Sequence, residues 1–217
     1  NEVLDAMPVQ KFHVHQSDIA EFYVTYDSNS FTWHEQTTKD MALREAVTTL
    51  NLANDYVSEI NLTLSAWLQS IADILASGMV LLIDYGFPNK EFYHPQRDQG
   101  TLMCHYRHHS HTDPLILVGL QDITTHVDFT AVAEAASLAK LQVNGYTTQA
   151  NFLLNCGLDD ILSSIKPDDK RHYLSIAQQA KTLILPSEMG ELFKAMGLTK
   201  NFDEPLLGFS KNELFRL

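Results

Sequence analysis

The run Met79-Val80-Leu81-Leu82-Ile83 is apolar at every position and is halted by Asp84-Tyr85-Gly86. No other feature narrows the possible folds of this chain as much. Five successive apolar residues lack the alternation of a half-solvated strand, and they are too few for a helical stripe. They suit a strand covered on both faces, as in a parallel sheet flanked by helices. Just upstream the period changes. Val57, Ile60, Leu64, Trp67, Leu68, Ile71, Ile74 and Leu75 recur at three- and four-residue steps. This predicts one amphipathic helix over 57–77 with Gly78 as its C-cap.

The theme returns downstream. Asp128 is placed to cap a helix that turns Phe129, Val132, Ala133 and Ala136 inward. Leu141 to Tyr146 reads as a strand. Tyr173, Ile176, Ala177, Ala180 and Ile184 mark a further helix, with Pro186 after its end. Helix and buried strand in alternation predict an α/β fold with a mostly parallel sheet. The first residues differ. Phe12 and Val14, then Phe22, Val24 and Tyr26, then Phe31 and Trp33 alternate with polar neighbours. Residues 9–36 are therefore expected to form an antiparallel meander with one buried face, turning at Asp27-Ser28-Asn29-Ser30, with a helix over about 40–55.

Composition bounds the function. The 27 acidic residues exceed the 15 basic ones and give a net charge of −12. A nucleic-acid footprint needs a basic face, so no nucleic-acid partner is expected. A basic protein substrate remains compatible with an acidic surface. The longest apolar run is far short of a membrane span, so no membrane partner is expected. The two cysteines, Cys104 and Cys156, give no disulfide framework and suit a reducing, cytoplasmic setting. The chain opens on Asn1 without an initiator Met, which reads as a cut end.

Candidate chemistry falls at three places. Asp84-Tyr85-Gly86 stands at the end of a predicted strand, where open parallel sheets bind ligands; the same residues also suit a plain turn. Glu2 and Asp5, three apart, share a face if helical and could hold a cation, or could be two solvated acids. His94, Cys104, His105, His108, His109, His111 and His126 cluster with Asp113 and Asp122. These are metal-ligating types, but no recognised ligand spacing occurs and Arg107 sits inside the run. No metal is expected there. No two of the nine glycines are separated by a single residue, so no G-x-G turn or P-loop is present. Cys104 beside histidines could form a nucleophile pair, but no third group supports it.

Taken in order, the motifs resemble one family. Asn1-Glu2-Val3-Leu4-Asp5-Ala6-Met7-Pro8-Val9 resembles its NEVLDALPV segment. The likeness continues through Ser58-Glu59-Ile60-Asn61, Leu82-Ile83-Asp84-Tyr85-Gly86, Tyr93-His94-Pro95-Gln96-Arg97 and Tyr106-Arg107-His108. It runs on through Asp113-Pro114-Leu115, Gln121-Asp122-Ile123-Thr124 and His126-Val127-Asp128-Phe129, to the tail Pro186 to Lys194. This ordered set is similar to that of the MidA-type methyltransferases dependent on S-adenosylmethionine (SAM). That bacterial and mitochondrial family includes a protein arginine methyltransferase that assists assembly of respiratory complex I.

The resemblance implies the C-terminal part of a Rossmann-like methyltransferase sheet. The meander and its helix (9–56) would be an insertion, and 57–217 would carry the later strands, helices and loops. The SAM-binding N-terminal part would be missing. The implied function is the substrate-side part of a SAM-dependent methyltransferase, with SAM as cofactor in the full-length protein and a protein, arginine-bearing substrate. The chain alone would be inactive, with self-association expected along the cut edge. Glu2, Asp5, Arg107 and His109 are the implied catalytic positions, the register among His108, His109 and His111 being open. Asn1, Asp84 and Tyr85 would meet the cofactor, and Asp122, Thr124 and Asp128 the substrate; for these last three, turn and cap roles stand equally open. Two alternatives belong to other classes: a non-catalytic protein-interaction module on the same scaffold, and a metal-dependent hydrolase built on the histidine run.

Overall fold

The computed structural model describes residues 1–16, 18–107, 109–165 and 170–217, with backbone alone for 170–172. Along the chain run strands β1 (Gln10–His15), β2 (Asp18–Asp27) and β3 (Ser30–Thr37), helix α1 (Met41–Thr49) and strand β4 (Tyr56–Ile60). Helix α2 (Leu64–Ile74), strand β5 (Gly78–Phe87) and helix α3 (Asn89–Phe92) follow. Next come strands β6 (Met103–Tyr106), β7 (His109–His111), β8 (Asp122–Thr124) and β9 (Val127–Asp128). Helix α4 (Phe129–Leu138), strand β10 (Gln142–Thr148) and helices α5 (Gln149–Asn155), α6 (Leu158–Ser164), α7 (Lys170–Ile184) and α8 (Met189–Leu192) lead to strand β11 (Phe193–Lys200). The result is mixed α/β. It divides into a sheet unit (Asn1–Glu2, Ser65–Pro88, Asp128–Leu217) and a meander unit (Val3–Leu64, Asn89–Val127).

The sheet unit is built on strands in the order β10-β11-β5-β9. The two predicted strands do share one sheet, but they are not neighbours. Strand β11 lies between them, antiparallel to both, from Phe193↔Tyr85 to Lys200↔Gly78 on one side and Gln142↔Thr199 to Thr148↔Lys194 on the other. The expectation of a mostly parallel sheet is thus corrected for these pairings. Seven of the eight β11 residues are buried, and their sequence hides this. Phe193 to Lys200 has no alternation, a central glycine and two lysines, so no strand was expected. Gly197 and Gly145 are register partners, and Phe209 lies over both. A Cβ on Gly145 would stand 2.3 Å from the Phe209 ring, and one on Gly197 would stand 2.7 Å from Leu206. The glycines are there for close packing.

Helix α2 starts later than its stripe suggested. Val57 and Ile60, read as helical, lie in strand β4 instead. Asn61 Oδ1 accepts the N–H of Thr63 at 2.9 Å, turning the chain just before the helix. Apolar residues at three- and four-residue steps can join a strand to a helix when an Asx turn intervenes. Leu68 and Ala72 are buried. The far end of the helix is tied down by β11: Lys200 Nζ donates to the Ala72 carbonyl at 2.6 Å, and Asn201 Nδ2 to the Ala76 carbonyl at 2.8 Å. A cation on the last carbonyls satisfies the helix terminus. Gly78, φ +136°, opens strand β5 rather than capping the helix. The expected cap at Asp128 is present, its Oδ1 accepting from the amides of Thr130 at 3.0 Å and Ala131 at 3.2 Å. Helix α7 matches the predicted helix ending before Pro186.

The meander unit carries a second sheet, β3-β2-β1-β4, antiparallel at every pairing. Period two sends Phe12 and Val14 to one face, where they pack with Ile19 against Leu43 and Val47 of α1. That helix is capped by Asp40, whose Oδ1 accepts from Ala42 at 2.8 Å. The expected single buried face holds only at the root of the sheet. The outer half of β2 and all of β3 are exposed, with Tyr26 at 63 % and Trp33 at 38 %. A three-stranded sheet, β7-β6-β8, runs through the histidine-rich segment.

Candidate functional site

The site begins with the N-terminal segment. Leu4 and Asp5 are buried while Val3 is half exposed. The Asp5 carbonyl accepts the N–H of Thr125 at 2.9 Å, which pins the segment beside the end of β8. The following residues, Ala6 to Val9, then form one wall of a cavity of about 440 Å³. Val24, Phe31 and Trp33 of the exposed hairpin form a second wall. Leu102, Pro114, Leu115, Val118 and Ile123 form the third, and Thr124 and Thr125 complete it beside Asp5. The third wall is shaped by Gln121, whose Nε2 donates to the carbonyls of Pro114 at 3.1 Å and Ile116 at 2.7 Å. Asp113 Oδ1 takes the Leu115 amide at 3.0 Å.

Asp5 is the one ionisable residue among the described residues that line this cavity. An apolar lining strengthens the pull of a carboxylate on a cation. Two aromatic rings and a carboxylate suit an organic cation: a charge to pair with and faces to lie on. Small-molecule sites generally have this form, mostly apolar with a few convergent polar groups.

The structure brings Asp5 and Thr124 together at this cavity. Asp122 is exposed on β8 opposite His105, and Thr124 pairs with Met103. Arg107 and His109 lie on the neighbouring hairpin. Tyr106 pairs with His109 to close it, Arg107 takes φ +48° in its turn, and the guanidinium lies 5.3 Å from the Tyr106 ring centre. Both are exposed, and His108 lies outside the described residues. Asp128 spends its carboxylate on the cap of α4.

The remaining positions fall in the sheet unit. The Glu2 amide donates to the Ile83 carbonyl at 2.9 Å, which lays exposed Asn1 and Glu2 along β5 next to Asp84-Tyr85. Asp84 is 1 % exposed, and its Oδ1 takes the Tyr85 amide at 3.0 Å. Opposite it in register stands buried Lys194, whose ammonium donates to the carbonyls of Glu191 and Leu192. Cys104 is fully buried, and burial, with Asp113 nearby, pushes its thiol up. That opposes the nucleophile alternative, which needs a thiolate.

The apolar lining was not anticipated as a site. Val24, Phe31 and Trp33 alternate as core residues do, and alternation does not tell a cavity wall from a packed face.

The chain is thus mixed α/β, with an apolar cleft lined by one carboxylate among the described residues. The family described as "Putative S-adenosyl-L-methionine-dependent methyltransferase" matches residues 1–147, and the chain belongs to that family. Two crystal structures from Burkholderia thailandensis are similar over 100 % of this chain at 40 % identity. One is the native structure of an uncharacterized protein (TM-score 0.94, 59 % of that chain covered). The other is a protein bound to S-adenosyl-homocysteine (TM-score 0.95, 57 % covered). The chain thus spans under three-fifths of the length of either structure. Among curated proteins no significant match is found.

Proposed function

We propose that this chain is the substrate-side part of a SAM-dependent methyltransferase acting on protein, with an arginine side chain as acceptor. Family membership supports the methyl transfer, and S-adenosyl-homocysteine on a structure 40 % identical supports the cofactor. The observation that carries the acceptor is Asp5, the one carboxylate among the described residues that line an apolar cavity with Phe31 and Trp33 on its wall.

SAM, when bound, supplies an electrophilic methyl group. The chain's own residues fit the edge of a SAM site. Asn1 and Glu2 are exposed and can meet the cofactor, whereas Asp84 is buried and fixes the strand end beside them. At the cavity, Asp5 accepts charge-assisted hydrogen bonds from the guanidinium and fixes its plane, leaving one nitrogen turned outward. Phe31 and Trp33 flank the cation and would help to hold it in one orientation. Thr124 adds a hydroxyl beside Asp5. Arg107 and His109, exposed on their hairpin, meet the peptide around the acceptor. Methyl transfer of this kind needs no metal, and a cytoplasmic setting suits two free cysteines.

The test is methylation of arginine- and lysine-bearing peptides by the whole protein. Asp5→Asn removes the charge and keeps the shape. Losing one hydrogen-bonded charge pair costs about 1.5–3 kcal/mol, so kcat/KM on the arginine peptide should fall roughly 10- to 150-fold. Wild-type activity in Asp5→Asn, or equal turnover of the lysine peptide, would remove the arginine assignment. Exposed Ile116, Leu117, Val118 and Leu120 favour a second reading, in which this loop binds a partner protein without catalysis. A partner that binds equally well to Asp5→Asn and is never methylated would support it.

A further inference from the structure

Strand β1 carries a His-x-His pair that plays no part in the cavity. Period two puts His13 and His15 on the same side of the sheet, away from the Phe12–Val14 core face. Their ring centres lie 3.7 Å apart. Glu35 reaches across from β3, and one oxygen, Oε1, meets His13 Nδ1 at 2.9 Å and His15 Nε2 at 2.5 Å. Asp55 enters from the start of β4, its amide on the Val14 carbonyl at 2.8 Å. Its Oδ1 stands 3.9 Å from His15 Nδ1. Ligand atoms of His13, His15 and Asp55 all lie within 4.8 Å of one another. Three separate strands or their ends thus deliver two imidazoles and two carboxylates to one point.

We infer that this cluster is a site for one divalent transition-metal ion of the zinc or nickel type. Imidazole with carboxylate is the donor set such ions prefer. The arrangement around His15 is the telling one. One ring nitrogen is held by Glu35 while the other faces a second carboxylate. Metal-bound histidines are oriented in this way, with a carboxylate on the nitrogen that does not bind the ion. Zinc bonds of about 2.0–2.2 Å put two ligands roughly 3.3–3.6 Å apart in a tetrahedral site, so Asp55 need close only a few tenths of an ångström. Lys11, two residues before His13 on the same strand, is paired with Glu59 at 3.4 Å. The site is separate from the 94–126 histidine run, for which no metal was expected. It borders the substrate cavity: Phe22 stacks 6.3 Å from His13 and meets Trp33, a cavity residue, at 5.9 Å.

The experiment is calorimetric titration of Zn²⁺ and Ni²⁺ into the chain prepared without a polyhistidine tag. One ion per chain is expected. His15→Ala and Glu35→Gln should each weaken binding by about 10-fold or more, and the double variant His105→Ala/His111→Ala should bind as the parent does. His15 is exposed, and circular dichroism of its variant confirms the fold. Absence of binding at about 100 µM metal, parental affinity in His15→Ala, or loss in the His105/His111 variant would each overturn the site.

Discussion

Two side chains show how local surroundings set chemistry in this molecule. Cys104 has no exposed surface, and burial raises its thiol, with the nearby Asp113 carboxylate adding to the effect. Thiolate is the reactive form, so Cys104 should alkylate slowly. In native protein treated with iodoacetamide, mass spectrometry should find half-buried Cys156 modified first. Early modification of Cys104 would mean the β6 strand opens. Glu35 is the second case. Burial works to raise it, but the hydrogen bonds from His15 and His13 outweigh that and hold its carboxyl below the usual range. A carboxyl depressed in the folded state stabilises above its unfolded value, about 4.3. That contribution fades as pH falls through the lower folded value. In metal-free buffer, Glu35→Gln should therefore unfold at lower urea than the parent near neutral pH. The gap should close as the medium is acidified below the ordinary carboxylate range. A gap that stayed constant with pH would show that the His contacts do not bias Glu35.

At the scale of elements, the N-cap at Asp128 was legible, whereas the C-cap expected at Gly78 and the strand partnerships were not. Asp128, Phe129, Val132 and Ala136 announce α4 because a cap and its inward residues sit within three turns of one another. Replacing Asp128 by Ala should cost about 1 kcal/mol of stability in urea unfolding, and Ser should restore most of it. If Asp128→Ala left stability unchanged but abolished methylation, its carboxylate would belong to the substrate instead. The 57–77 stripe shows the opposite case. Its spacing was right for a helix from Leu64 onward, but Val57 and Ile60 obeyed the same spacing inside a strand. What decided was the neighbour: β4 lies beside β1, with Val57 opposite His13. The His-x-His pair was equally silent in sequence. Its partners Glu35 and Asp55 are 20 or more residues away, and only sheet register gathers them.

For the whole molecule, the net charge of −12 should draw basic substrates through a long-range field. Binding of an arginine-rich peptide should weaken steadily as salt rises from about 0.05 to 0.5 M, since the Debye length then shrinks several-fold. Salt-independent affinity would confine recognition to the apolar contacts of the cavity.

Residue order alone determined the class of this protein. The apolar run before Asp84, which forms a strand although only Leu82 within it is buried and Met79 is exposed, the N-cap at Asp128, the meander and the ordered family motifs are all relations between near neighbours, and these survive without a partner. Tertiary structure alone decided the rest. It placed β11, a strand with no pattern of its own, inside the sheet, with β5 and β10 on its two sides and Leu206 and Phe209 packed over Gly197. It also turned the meander's aromatic face into a cavity wall around Asp5. Whether an apolar residue ends in a core or on the lip of a cleft depends on what folds back over it. That is settled by chain segments far off in sequence, whose approach no local pattern records.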